Sequence, residues 1–163
     1  MEMIRKKTSL LLGYALKIGA MLGAADQEDI DYLYTFGEKM GLAFQLQDDL
    51  LDVYGDPTKF QKKLGGDIVE NKKTFMLINA YLRADDAQKA ELDRWVNAQD
   101  FDPAEKIAAV THIYNVLGID QLAQQKIEAI FAESLKSLDC VKVSEEKKAE
   151  LRLFANKLMG RKY

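Results

Sequence analysis

Three aspartates, Asp48, Asp49 and Asp52, stand inside the otherwise apolar run FQLQDDLLDVY at 44–54. At about 3.6 residues per turn, positions 48 and 52 fall on nearly one helix face and 49 lies one step round. Ionised carboxylates held so close repel one another. A hard divalent cation removes that repulsion and accepts oxygen ligands, and Mg²⁺ commonly bridges a few carboxylates to phosphate oxygens while keeping several waters. The bland alternative is a solvated acidic face. Phe44, Leu46, Leu50, Leu51 and Val53 flank the acids, so the helix is apolar on several sides and expected to be buried. Buried carboxylates need partners. Gln45, one turn before Asp48, adds a neutral polar group to the same region.

Cations follow. Lys59, Lys62 and Lys63 precede Gly65-Gly66, and Lys72 and Lys73 come after. Lysine binds phosphate as a point charge, and glycine lets backbone approach a ligand closely. The break at 55–71 is long for a helical protein, as binding loops and lids often are. Any one of these lysines taken alone reads as a solubilising charge. Acids that could hold a metal, followed by bases that could hold phosphate, together suggest a site for a metal–diphosphate. A second basic cluster, Arg5-Lys6-Lys7, precedes Thr8, and the chain ends on the basic GRKY at 160–163.

The elements that must position these groups are helical almost throughout. Apolar residues recur with helical spacing over 2–23, 27–54, 73–83, 85–98, 103–117, 120–138 and 144–159. Asp26 is placed to cap the second helix, Asp102-Pro103 to start a later one, Gly118 to stop it, and Ser144-Glu145-Glu146 to open the last. No alternating β pattern or internal repeat occurs, so the expected fold class is all-α. The chain has 163 residues, 48% hydrophobic and 30% charged, which suits one folded domain with a core. A net charge of −3 gives no support for nucleic-acid binding. Cys140 is the single cysteine, so no internal disulfide forms, and a reducing, cytoplasmic setting is expected. No apolar run approaches the ~18 residues of a membrane span. His112, Trp95 and the tyrosines read as structural, Cys140 as unreactive, and Met21, Met40 and Met76 as fillers of core gaps.

Taken together these residues resemble the C-terminal half of the trans-type isoprenyl (polyprenyl) diphosphate synthases, the group that includes farnesyl and geranylgeranyl diphosphate synthases. FQLQDDLLD looks like the family's second aspartate-rich motif and KKLGGDIVENKKT like the lysine loop after it. Lys7-Thr8, with GYALKIGAMLGAA behind it, is similar to a further family segment. The resemblance implies an isoprenoid-synthase helical bundle of which residues 1–163 form a C-terminal part. It implies Mg²⁺ held by Asp48 and Asp52 with Asp49 beside them. Lys7 and Lys62 would bind an allylic diphosphate, Thr8 and Gln45 would face its carbons, and Lys72 would lie near the metal. Arg161 and Lys162 are a looser match to basic residues that close over the site. The implied reaction is head-to-tail condensation of the allylic diphosphate with isopentenyl diphosphate, in an enzyme that is typically a homodimer. The chain departs from the pattern at Gln61, where the family usually has glycine. The family's first aspartate-rich motif and its arginine-bearing loop are also missing from these 163 residues. The expectation is therefore a portion of a synthase that is inactive alone. The competing readings are a non-catalytic helical partner of a synthase and a terpene cyclase.

Overall fold

The computed structural model describes residues 1–56, 58 and 64–160. Lys59, Gln61, Lys62, Lys63, Arg161 and Lys162, all named above, lie outside the described residues. Among those described there is no strand, and the helices fall where the periodicity put them: Leu10–Leu22, Gln27–Tyr54, Phe75–Arg83, Asp86–Asn97, Pro103–Val116, Ile119–Cys140 and Glu145–Met159. Two short elements were not foreseen, a π-helical turn Arg5–Ser9 and a single helical turn Gly66–Val69 inside the predicted break. No described helix is long and apolar enough to cross a membrane.

The chain forms two compact units, Met1–Gln47 with Gln125–Lys162, and Asp48–Gln124. The helices Gln27–Tyr54 and Ile119–Cys140 each contribute to both.

In the first unit Asp26 caps the long helix, its side chain accepting the Asp29 N–H at 2.9 Å. Asp29 is itself only 6% exposed and accepts the backbone N–H of Lys142 at 2.9 Å, so a residue that looks like half of a capping pair instead ties two distant segments. Phe36, Met40, Leu138 and Ala155 centre the core, with Leu12, Leu16 and Phe131 packed around them. The N-terminal helix meets the long helix through small residues. A Cβ added at Gly41 would stand 2.6 Å from Ser9 Cα, and one at Gly37 would stand 2.8 Å from the Leu12 carbonyl. The buried face of the N-terminal segment is therefore Ile4, Ser9, Gly13 and Ala20. The apolar series Leu11, Tyr14, Ile18, Leu22 points outward in this chain, with Leu11 79% exposed. Met21 lies on the same side and is 59% exposed, which corrects its assignment as a core filler. Close helix approach selects the small-residue face for burial, leaving the bulkier face for solvent. Met40 and Met76 are buried as expected.

In the second unit each helix start has its own stop-and-start chemistry. Thr74 Oγ1 accepts the Leu77 N–H at 3.3 Å. Asp85 and Gln88 form a reciprocal capping box at 2.8 and 3.0 Å. Asp102 accepts the Ala104 N–H at 2.7 Å ahead of Pro103, and Gly118 ends that helix with φ of 62°. Leu50, Leu51, Ile68, Met76, Leu92, Val110 and Tyr114 are buried here.

Candidate active site

Each unit carries part of the expected constellation, and the long helix supplies both parts. In the first unit the π-helical turn holds Lys7 and Thr8. A π-turn adds a residue to the helix locally and so re-aims the side chains around it, and such turns often mark functional positions. Lys7 is exposed. Thr8 Oγ1 donates to Gln45 Oε1 at 3.1 Å, joining the N-terminal segment to the long helix just before its aspartates. The hydroxyl proton is used in that bond, so the Thr8 lone pairs stay available. Arg5 donates to Glu38 at 2.5 Å one turn away and helps fix the turn against the same helix.

In the second unit the aspartate-rich end of the long helix meets the glycine pair. Gly65 N–H donates to the Asp52 carbonyl at 2.6 Å, and Asp67 N–H donates to Asp52 Oδ2 at 2.9 Å. Gly65 takes φ of 81°, and the turn Gly66–Val69 starts from it. Asp67 stands with its carboxylate near Asp52 and is bridged by Lys72, which also lies 3.4 Å from Glu70. The Asp67 side chain is 12% exposed and that of Lys72 53%. The predicted Asp52 and Lys72 are thus gathered on one side of the loop, and Asp67, which lies in the KKLGGDIVENKKT segment and was given no role there, belongs with them. Its signal was legible: an acid five residues before a lysine, directly after two glycines. Asp48 is exposed and Asp49 buried at 9% exposure. Lys62 lies outside the described residues.

The electrostatics follow from burial and repulsion. Loss of solvent raises the Asp52 carboxyl above the ordinary carboxylate range; the Asp67 N–H opposes this, the Asp67 carboxylate adds to it, Lys72 opposes it, and Asp48 adds to it. Lys72 is pushed up to about 12, chiefly by its hydrogen bond to Asp67. Among the described residues no three acidic, histidine or cysteine side chains converge tightly enough to form a ready metal cage. The donor chemistry nonetheless fits a hard cation. Asp48, Asp52 and Asp67 are all-oxygen donors that repel one another beside a partly desolvated carboxyl, and Mg²⁺ needs only one or two protein carboxylates with water and phosphate completing its shell.

Residues 1–115 match the family model described as polyprenyl synthetase, and the chain belongs to that family. It is 34% identical over 138 residues to a short chain isoprenyl diphosphate synthase of Methanothermobacter thermautotrophicus, an alignment covering 80% of this chain and 42% of that protein. It superposes on a crystal structure of geranylgeranyl pyrophosphate synthase with a TM-score of 0.88 and 35% identity, over 99% of this chain and 50% of that one. A geranylgeranyl pyrophosphate synthase from Corynebacterium glutamicum, solved with isoprenyl diphosphate and magnesium, matches with a TM-score of 0.85 and 32% identity over 98% of this chain and 45% of that one. The chain thus spans about half the length of the proteins it matches.

Proposed function

We propose that this chain is the C-terminal part of an isoprenoid-synthase domain. That domain would catalyse Mg²⁺-dependent head-to-tail condensation of an allylic diphosphate with isopentenyl diphosphate, in the cytoplasm and as a homodimer. The observation that carries the reading is the meeting of Asp52 with Gly65 and Asp67, which brings the aspartate-rich helix end onto the loop that holds Lys72. Asp48, Asp49 and Asp52 would hold the metal, which when bound would neutralise charge on the departing diphosphate. Lys72, Lys7 and Lys62 would bind diphosphate oxygens as point charges. Thr8 and Gln45 would turn oxygen lone pairs toward the allylic carbons. Their mutual hydrogen bond supports that role, since it would hold the two side chains in place before substrate arrives, which is where electrostatic stabilisation gains its strength. Apolar packing around the site would exclude water from the reacting carbons.

The test is calorimetric titration of the purified 163-residue chain with inorganic pyrophosphate, with and without Mg²⁺. Cooperative binding of the two, lost in Asp52→Asn, is expected. Pyrophosphate binding indifferent to both Mg²⁺ and Asp52 would sink the reading. Alone, the chain should not condense labelled isopentenyl diphosphate, and turnover by it would refute that part. A second reading, a helical partner without activity of its own, is favoured by the outward apolar series Leu11, Tyr14, Ile18 and Leu22. Co-elution with a complete synthase, without pyrophosphate binding by the chain itself, would select it.

A further inference from the structure

Lys106, on the helix Pro103–Val116, is 1% exposed. No carboxylate pairs with it among the described residues. Its ammonium donates to the Asn71 side-chain oxygen at 2.7 Å and to the Val69 carbonyl at 3.3 Å, and sits 4.3 Å from the centre of the Phe101 ring. A buried ammonium that relies on neutral acceptors is costly to keep, and burial alone lowers its pKa. What it holds is the end of the Gly66–Val69 turn. Val69 supplies one of the carbonyls that a helix end leaves unpaired, where a cation is favoured. Asn71 has φ of 53°, and its side-chain amide also donates to the Val96 carbonyl at 3.0 Å. Immediately after that left-handed residue the chain doubles back: Lys72 N–H donates to the Asp67 carbonyl at 3.0 Å and the Lys72 ammonium reaches the Asp67 carboxylate. Lys106, Asn71, Lys72 and Asp67 line one small cavity of ≈ 10 Å³.

We propose that Lys106 is a positioning residue for the candidate active site: by holding Val69 and the Asn71 side chain it fixes the reversal that returns Lys72 to Asp67 and Asp67 to Asp52. The inference rests on the metal–diphosphate reading of that site. It differs from a purely structural role in a definite way. A lysine that served stability alone would be replaced without loss by an apolar side chain of similar length, since a buried unpaired charge is a burden. A lysine that positions the turn would, on the same replacement, leave the fold intact and loosen the turn.

Lys106→Met and Asn71→Gly separate the two. Asn71→Gly keeps the left-handed backbone and deletes the acceptor. Lys106→Met is expected to melt close to the parent, and Asn71→Gly below it, because the ammonium stays buried after losing its 2.7 Å acceptor. Amide hydrogen exchange over Asp67–Thr74 should rise about 10-fold or more while exchange in the helices Asp86–Asn97 and Pro103–Val116 stays unchanged. Affinity for Mn²⁺ in the presence of inorganic pyrophosphate should fall about 10-fold, as when groups behind metal ligands are removed. The double variant should lose less than the sum of the two single ones, because both remove the Lys106–Asn71 contact. Unchanged exchange over Asp67–Thr74 in both variants, additive effects, or a rise spread evenly over Asp48–Gln124 each overturn the proposal. If Lys106→Met fails to fold, Asn71→Gly reads the same contact. If the parent binds neither Mn²⁺ nor pyrophosphate, the site reading falls while the exchange comparison still decides the role of Lys106.

Discussion

Asp52 accepts the backbone N–H of Asp67 at 2.9 Å, and that single contact joins the aspartate-rich helix to the glycine–lysine loop. It places two acidic residues side by side in partly desolvated surroundings, with Lys72 as the counter-charge in contact with the Asp67 carboxylate among the described residues. The Asp67 carboxylate makes Asp52 harder to ionise, and a cation would relieve that repulsion.

The Asp52 carboxyl is raised in the folded protein, so the folded state holds that proton more tightly than the unfolded chain. Linkage then makes stability fall as pH climbs from the ordinary carboxylate range, about 4, through the raised value. Asp52→Asn removes this penalty while keeping an oxygen for the Asp67 N–H. Without divalent cations the variant should melt above the parent at pH 7 and level with it near pH 3. Adding Mg²⁺ should raise the parent and leave the variant unmoved. Thermal melts across that pH range check this, and equal melting at pH 7 defeats it.

Gly41 permits the close seat of Ser9 against the long helix. Gly41→Ala would press a methyl to 2.6 Å from Ser9 Cα and 3.1 Å from its Cβ. Overpacking against backbone should cost about 1–3 kcal/mol in urea denaturation. Gly19→Ala, on the same N-terminal helix with nothing within 4 Å of the added carbon, is the control and should be neutral or stabilising. Equal effects at both positions would show that the contact is not tight.

Gly65 answers to two constraints at once. Its φ of 81° disfavours any side chain, and an added Cβ would meet Ile107 Cγ1 at 2.6 Å. Gly65→Ala should therefore cost about 2 kcal/mol or more. Adding Ile107→Ala to that variant should recover only the steric share. Full recovery in denaturant titrations would mean that backbone strain contributes nothing.

Helix placement was legible because helical periodicity and caps are local signals: Asp26, Asp102-Pro103 and Gly118 all act where the letters put them. The π-turn at Arg5–Ser9 was not: it ends at Ser9, which packs closely on Gly41, 32 residues on, and helical periodicity carries no signal for such a turn. The outward turn of Leu11, Tyr14, Ile18 and Leu22 escaped for a related reason. An apolar stripe announces that a face wants cover, but not which of two faces the rest of the chain covers. In the site, residue types and spacing pointed to Asp52 and Lys72. Asp67 had a local signal, an acid after two glycines and five residues before Lys72, but its contact with Asp52, like the burial of Lys106, is a property of the folded chain.

Trp95, the one tryptophan, is 9% exposed, donates its indole N–H to Glu91 at 2.8 Å and lies under the Arg94 guanidinium at 4.5 Å. Its neighbour Val96 holds the Asn71 amide. Indole emission from this protein therefore originates wholly within Asp48–Gln124, from a ring one residue removed from the anchor of the lysine-bearing turn. The molecule carries its own optical probe for the half that contains Asp52 and Lys72, while the half bearing Thr8 and Gln45 is dark at that wavelength.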